Sequence, residues 1–221
     1  MTPARGGIWA VVPMKEFSLA KQRLAGAFTP IFRQELVRAM LCDVLAALRE
    51  ARGLAGFAVI TADPEAGRLA QDYGGRWLVE REVRGLNAAA SEAAAVLGAE
   101  GCAAMLVLPG DLPAVTAAEI DALVSSHGAG RAASLIAAQD GDGTNALLLS
   151  PPQAMGFAFG PGSFARHRAG AEALGIVPQV HESARFPGFA RDIDTPDEVR
   201  RLRDLRPGSH TGRLLASGHC S

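Results

Sequence analysis

The stretch Ala103-Ala-Met-Leu-Val-Leu-Pro-Gly-Asp-Leu-Pro113 constrains this chain more than any other. Its apolar run is short and is closed by Pro109 and Gly110, the pattern of a strand buried on both faces inside a parallel sheet. Parallel neighbours are joined by crossovers, usually helices, so such a strand commits the chain to an α/β architecture. In open α/β sheets, ligands bind just beyond the carboxyl ends of the strands. Asp111 stands at that exit. Two roles are open to it there: a metal ligand, or a turn aspartate bonded to its own backbone.

The remaining segments alternate as this architecture requires. Strands are expected at Ile8–Pro13, Phe57–Thr61, Arg76–Val79, Ala132–Ala138, Thr144–Leu149 and Ile176–His181. A helix capped by Thr29 with Pro30 in its first turn should run to about Arg52, its stripe formed by Leu36, Met40, Val44, Leu45 and Leu48. Further helices are expected after Asp63-Pro64, from Ala88 to Leu97, from the Thr116/Glu119 capping box to Ser126, from Phe164 to Leu174, and after the Thr195/Glu198 capping box. The turn-rich Asp140-Gly-Asp-Gly143 makes the Ala132 and Thr144 strands a hairpin. The expected fold is thus α/β, a mostly parallel sheet with helices on both faces and an antiparallel hairpin insertion. Residues 1–206 form one domain, and the Gly-, Ser- and His-bearing residues 207–221 a flexible tail, in which His210, His219 and Cys220 are weak metal candidates.

With 48% apolar residues among 221, the chain can bury a substantial core, and its many Ala and Gly residues favour close helix-on-sheet packing. A net charge of −1 leaves no basic field for nucleic acid. The three cysteines, Cys42, Cys102 and Cys220, fit neither a zinc pattern nor a disulfide framework, and no apolar run approaches membrane-spanning length. A cytoplasmic protein with no nucleic-acid or membrane partner is the expectation.

Three cations, Lys15, Lys21 and Arg23, follow the carboxyl end of the first strand, where they either meet a polyphosphate or cover a solvated helix face. Asn87 either caps the helix that follows it or offers its amide to a nucleobase edge. Ser163, behind the Gly160-Pro161-Gly162 turn, is expected to cap a helix whose free amides make an anion seat, with Arg166, His167 and Arg168 adding positive charge. His167 reads more readily as a packing histidine than as a catalyst. Asp192 and Asp194 alternate across Ile193 and, in an extended segment, face the same way. Joined with Asp111, they form a set of hard oxygen donors without cysteine, suited to Mg²⁺ or Mn²⁺. Cations opposite a divalent ion, with a second anion seat alongside, describe nucleotidyl transfer from a nucleoside triphosphate. An ionised phosphate as acceptor needs no general base, and none is evident. Neither a Walker loop nor a Gly-x-Gly-x-x-Gly run follows the first strand.

The ordered pieces Val11-Val-Pro-Met-Lys15, Ala20-Lys-Gln-Arg-Leu24, Gly85-Leu-Asn-Ala-Ala89, Leu108-Pro-Gly-Asp-Leu-Pro113, Asp142-Gly-Thr-Asn145, Phe159-Gly-Pro-Gly-Ser-Phe164 and Asp192-Ile-Asp-Thr-Pro196 resemble the phospholactate guanylyltransferase family (CofC, with the related FbiD), within the MobA-like nucleotidyltransferases. The resemblance spans roughly residues 8 to 203. It implies a single Rossmann-like nucleotidyltransferase domain that uses GTP and a small phospho-acid, 2-phospho-L-lactate, phosphoenolpyruvate or 3-phospho-D-glycerate, and releases pyrophosphate in biosynthesis of the deazaflavin coenzyme F-420. It also implies that Asp111, Asp192 and Asp194 bind the metal, that Thr144, Gly160 and Ser163 line the acceptor site, that Pro13, Lys15, Lys21 and Arg23 face the triphosphate, and that Asn87 lies near the base. A homodimer is common among such folds. The glycine-rich loop usual in the larger group is replaced here by Met14-Lys-Glu-Phe-Ser18, which favours the phospholactate-type branch; Glu16 has no role in this scheme. Two rivals share the fold: a nucleotidyltransferase acting on a molybdenum-cofactor or sugar-phosphate acceptor, and a non-catalytic GTP-binding protein.

Overall fold

The computed structural model describes residues 6–17, 21, 24–193 and 195–217. Arg23, Asp194, His219 and Cys220 lie outside the described residues.

Seven strands form one sheet: β1 (Ile8–Pro13), β2 (Gly56–Thr61), β3 (Arg76–Val79), β4 (Ala104–Val107), β5 (Ala132–Ala137), β6 (Thr144–Ser150) and β7 (Gln179–His181), in the spatial order 3-2-1-4-6-5-7. β1 pairs in parallel with β2 and β4, and β2 with β3; β6 runs antiparallel to β4 and β5, and β7 is parallel to β5. The chain moves outward from β1 to β3, then returns to the other side of β1 as β4. The crevice between the carboxyl ends of β1 and β4 is therefore the topological switch point, where ligands bind in such sheets.

Alternation along β1 divides the core into layers. Ala10 and Val12 join the cluster built on α1 (Pro30–Glu50), with Leu36, Met40, Leu45 and Leu48. Trp9 and Val11 face Ala89, Ala90, Ala93 and Leu97 of α3 (Leu86–Ala99), where alanines let the helix lie close to the sheet. A third cluster sets Leu135, Leu147 and Leu149 against Ala171 of α5 (Ser163–Ala173). α2 (Pro64–Asp72) and α4 (Ala117–Ser126) follow β2 and β4, the latter behind a complete Thr116/Glu119 capping box. The C-terminal part carries α6 (Pro187–Ala190), α7 (Pro196–Leu205) and α8 (His210–Ala216).

Two expectations are corrected. The strand placed at Ile176–His181 begins only at Gln179. Gly175, at φ 73°, ends α5 in a Schellman turn, with Ile176 N–H bonding Ala171 C=O and Gly175 N–H bonding Glu172 C=O, each at 3.0 Å. Ahead of Asp192, Phe189 and Ala190 close α6, and residues 191–193 have no regular secondary structure. In place of a flexible tail, α8 packs on α1, with Thr211 and Leu215 buried. Its first turn is held by Asp43 of α1, whose carboxylate accepts from His210 N (2.7 Å) and Thr211 N (3.0 Å). His210 bonds Tyr73 Oη at 2.9 Å. The composition of this segment hid the helix because its stability comes from α1, not from its own propensity.

Candidate active site

The loop after β1 is pinned at both ends of its described part. Met14 N–H bonds Ile60 C=O at 3.0 Å, and Phe17 N–H donates to Asp63 Oδ2 at 3.0 Å while its ring is buried in the core. Leu24, fully buried, donates its N–H to Lys21 C=O. Lys21 lies between these anchors in the left-handed region, φ 52°, unusual for a residue with a Cβ. Its Nζ reaches Asp111 Oδ2 at 2.6 Å, and only 7% of the Lys21 side chain is exposed, against 29% of Asp111. Gly110, just before Asp111, lets the Met14 side chain pack closely over the β4 exit, because a Cβ there would collide with Met14 Sδ. The sequence reading placed cation and carboxylate on opposite sides of a ligand; the structure joins them directly. An ammonium this deeply buried requires such a counter-charge. Pro13, at the end of β1, pairs with Ile60, and Lys15 beyond it is exposed.

Asp192 reaches the same edge of the sheet through Asn145. The Asn145 Nδ2 group donates to Phe189 C=O at 2.9 Å and to Asp192 Oδ1 at 3.4 Å. The antiparallel register pairs Val107 of β4 with Leu147 of β6, so its continuation brings Asn145 level with Pro109, just before Asp111. Simple alternation would send Asn145 toward α5, with Leu147 and Leu149, and Thr144 toward α6, with Ala146 and Leu148. The reverse is found. The register slips between Ile136 and Ala137, pairing Ile136 with Ala146 but Ala137 with Thr144, and this bulge exchanges the two side chains between faces. Bulges are frequent beside active sites because they re-aim side chains in this way.

Thr144, thus turned, meets His167 of α5. The Thr144 Oγ1 to His167 Nδ1 distance is 3.0 Å, and Ala158 N–H donates to His167 Nε2 at 2.9 Å. The ring is fully buried and stacks edge-on against Phe159, centroids 4.7 Å apart. Burial, aided by the neighbouring Arg166 charge, pushes the imidazole down to about 4, so it is neutral at physiological pH. His167 therefore adds no positive charge to the helix start. Nor does Arg168, which pairs with Glu172, while Arg166 donates to the carbonyls of Ala158 and Pro161 and clamps the loop that precedes α5.

The start of α5 differs from the sequence reading in one further respect. Gly162, at φ 69°, is the N-cap, and Ser163 is the first helical residue and is buried. The amides expected to be free are engaged: Ser163 N–H bonds Gly160 C=O at 3.0 Å, Phe164 N–H bonds Asp142 C=O at 3.0 Å, and Gly162 N–H bonds Asp142 Oδ2 at 2.7 Å. Asp142, in the β5–β6 turn, supplies the cap that Ser163 was expected to provide. Asn87 is not a cap either, since Gly85 holds that position. Its amide exchanges two hydrogen bonds with Phe159, accepting from the N–H at 2.7 Å and donating to the C=O at 3.2 Å. α3 is thereby tied to the loop carrying Gly160. Sequence reasoning singled out neither Asp142 nor Asn145 for these roles. Their signal was present in the Asp-Gly-Thr-Asn run, but a bulge cannot be read from it.

Among the described residues, no three His, Cys, Asp or Glu side chains form a metal cluster. Asp111 and Asp192 are the carboxylates of the expected set within that range.

Residues 8–205 match the family described as "Guanylyl transferase CofC like". A phosphoenolpyruvate guanylyltransferase of Conexibacter woesei is 39% identical over 211 residues, covering 95% of this chain and 93% of the relative. One of Rubrobacter xylanophilus is 40% identical over 195 residues, covering 88% and 93%. Among solved structures, a candidate nucleotide-diphospho-sugar transferase from Desulfovibrio desulfuricans superposes with a TM-score of 0.76 at 14% identity, over 96% of this chain and 95% of the other. A CMP:2-keto-3-deoxy-manno-octonic acid synthetase does so with a TM-score of 0.61 at 14% identity, over 90% and 98%. At such identity these structures speak for the fold alone, that of the nucleotidyltransferases. With that fold, a lysine–carboxylate pair at its switch point and a profile match over most of its length, the chain belongs to the CofC-like guanylyl transferase family of nucleotidyltransferases.

Proposed function

We propose that this protein transfers the guanylyl group of GTP to a small phospho-acid, with phosphoenolpyruvate first among 2-phospho-L-lactate, phosphoenolpyruvate and 3-phospho-D-glycerate, in biosynthesis of coenzyme F-420. The observation that carries this reading is the Lys21–Asp111 pair between β1 and β4, in a chain 39% and 40% identical to phosphoenolpyruvate guanylyltransferases. A phosphate oxygen of the acceptor attacks the α-phosphorus of GTP, the α–β bridging bond breaks, and pyrophosphate leaves. The acceptor oxygen is already ionised, so no side chain has to remove a proton.

The donor set is chemically suited to a hard divalent cation, Mg²⁺ or Mn²⁺: Asp111, Asp192 and, beyond the described residues, Asp194 would hold it. When bound, such an ion neutralises charge on the α-phosphate and holds donor and acceptor in line. Lys21 exchanges its bond with Asp111 for one with a triphosphate oxygen, assisted by Lys15 at the mouth and by Arg23. Pro13 shapes the floor, and Asn87 keeps the α3 start close to the base. Thr144, Gly160 and Ser163 receive the acceptor.

The test is pyrophosphate release by the purified protein, with GTP, ATP and CTP each offered with each phospho-acid, followed by mass detection of the product. Turnover is expected with GTP and phosphoenolpyruvate and should stop when EDTA removes the divalent ion. Turnover only with CTP and a molybdopterin or sugar-phosphate acceptor would overturn the substrate assignment. GTP binding without pyrophosphate release from any pair would overturn catalysis.

A further inference from the structure

We infer that His167 is a positioning residue: by donating its Nδ1 proton to Thr144 Oγ1, it turns the threonine's own hydroxyl proton outward, onto an anionic oxygen of the acceptor. The identification of that oxygen's owner rests on the function proposed above; the direction of the His167–Thr144 bond does not.

The argument begins at Ala158. Its backbone N–H is a donor and points at His167 Nε2, 2.9 Å away. Nε2 must therefore carry the lone pair. A neutral imidazole has a single proton, so that proton is on Nδ1. The atom facing Nδ1 is Thr144 Oγ1 at 3.0 Å, which accepts. A hydroxyl that accepts from its neighbour still has its own hydrogen to give. Among the described residues, no other side chain or backbone group bonds Thr144 Oγ1. Thr144 is buried, and a buried donor without a partner is costly, so the position is satisfied best by a ligand oxygen. The surroundings hold the ring in this state. His167 is itself fully buried, Phe159 packs edge-on against it, and the Ala158–Pro161 loop that supplies the N–H is held by Arg166 and by Asn87. The β6 bulge exists in the right place to serve this contact, since without the slip Thr144 would face the opposite layer.

Two measurements test this. In the ¹⁵N-histidine NMR spectrum of the intact wild-type protein at pH 7, His167 should show a protonated Nδ1 and an unprotonated Nε2, and its Nδ1 proton should shift when phosphoenolpyruvate is added. The opposite tautomer would overturn the inference. So would an unmoved Nδ1 proton in a protein that turns phosphoenolpyruvate over. In kinetics, His167→Gln, whose amide sits at the ε position and cannot reach Thr144, should raise the phospho-acid KM about tenfold, with the GTP KM changed by less than about twofold. His167→Asn places an amide donor where Nδ1 stood and should recover most of that loss. In a Thr144→Val background, His167→Gln should add no further change to the acceptor KM. Equal effects on both substrates, or additive effects in the double variant, would overturn it. If no phospho-acid is turned over by the wild type, the proposed function falls, and the tautomer still decides whether His167 is the donor.

Discussion

Lys21 and Asp111, 90 residues apart in the chain, meet through a 2.6 Å contact between Nζ and Oδ2 at the point where the strand order of the sheet reverses. The lysine comes from the loop after β1 and the aspartate from the exit of β4, so the pair closes the crevice between adjacent parallel strands. Its burial distinguishes it from a surface ion pair, which would contribute little.

Replacing either partner should affect both catalysis and stability, and the kinetics tell the two residues apart. Asp111→Asn should cut turnover by at least about 100-fold, the size of effect seen when a charge-stabilising group is lost from a transition state, and, because it removes the counter-charge of the buried Lys21 ammonium, should also lower the thermal midpoint by several degrees. Lys21→Ala should raise the GTP KM more than the acceptor KM. Steady-state pyrophosphate release with each substrate varied checks both; undiminished turnover in Asp111→Asn would remove that residue from the reaction.

The start of α5 offers a contrast between two residues. Ser163→Ala should raise the acceptor KM about tenfold or more, as expected for a lost hydrogen bond to an anion, and leave the GTP KM nearly unchanged. Asp142→Ala removes the carboxylate that accepts from Gly162 N–H. It should lower stability by about 1 kcal/mol, the usual cost of a lost cap, visible as a shift in urea midpoint.

Stability should fall between pH 6.5 and pH 4. His167 is pushed from its ordinary 6.5 down to about 4 by burial and by Arg166. In that window the unfolded chain binds the proton and the folded chain does not, so stability rises with pH. The contribution is complete above about pH 6.5 and gone below about pH 4, and it amounts to at most about 3 kcal/mol. His127 and His181 are pushed down by burial too and add with the same sign. Urea unfolding at a series of pH values should show this slope, and it should be shallower in His167→Asn.

The C-terminal helix should contribute measurably to the fold. Asp43→Ala removes the acceptor of two α8 amides and should cost about 1–3 kcal/mol. Leu215→Ala, at a residue 5% exposed, should cost about 2–5 kcal/mol. For a chain of this size each kcal/mol lowers the thermal midpoint by roughly 2–4 °C. Unchanged midpoints in both variants would mean that α8 does not hold to α1 in solution.

Local chemistry was a good guide where the information is local. The Thr116 and Thr195 capping boxes formed as their residues predicted, because a cap is satisfied within four residues. The Asp140–Gly143 turn joined an antiparallel pair, and the run before Pro109 became a fully buried strand. The family, too, was legible, since its short motifs stand in order along most of the chain. Ser163 misled because a serine after glycine is a good cap on its own, and nothing nearby shows that Asp142 lies closer. Residues 207–217 misled because their helix draws its stability from Asp43 and the α1 surface, far away in sequence.

What the amino-acid order determined alone is the alternation of strands and helices, the carboxylate at the exit of β4 and the cation-bearing loop after β1, all consequences of periodicity and turn chemistry within about ten residues. Tertiary structure decided which groups face one another. A one-residue slip in a sheet sends every following side chain to the opposite face, and here it delivers Thr144 to His167 and Asn145 to Asp192. Pairings of this kind depend on strands and helices that meet only after folding, which is why the individual parts of the site could be named from the chain but their partners could not.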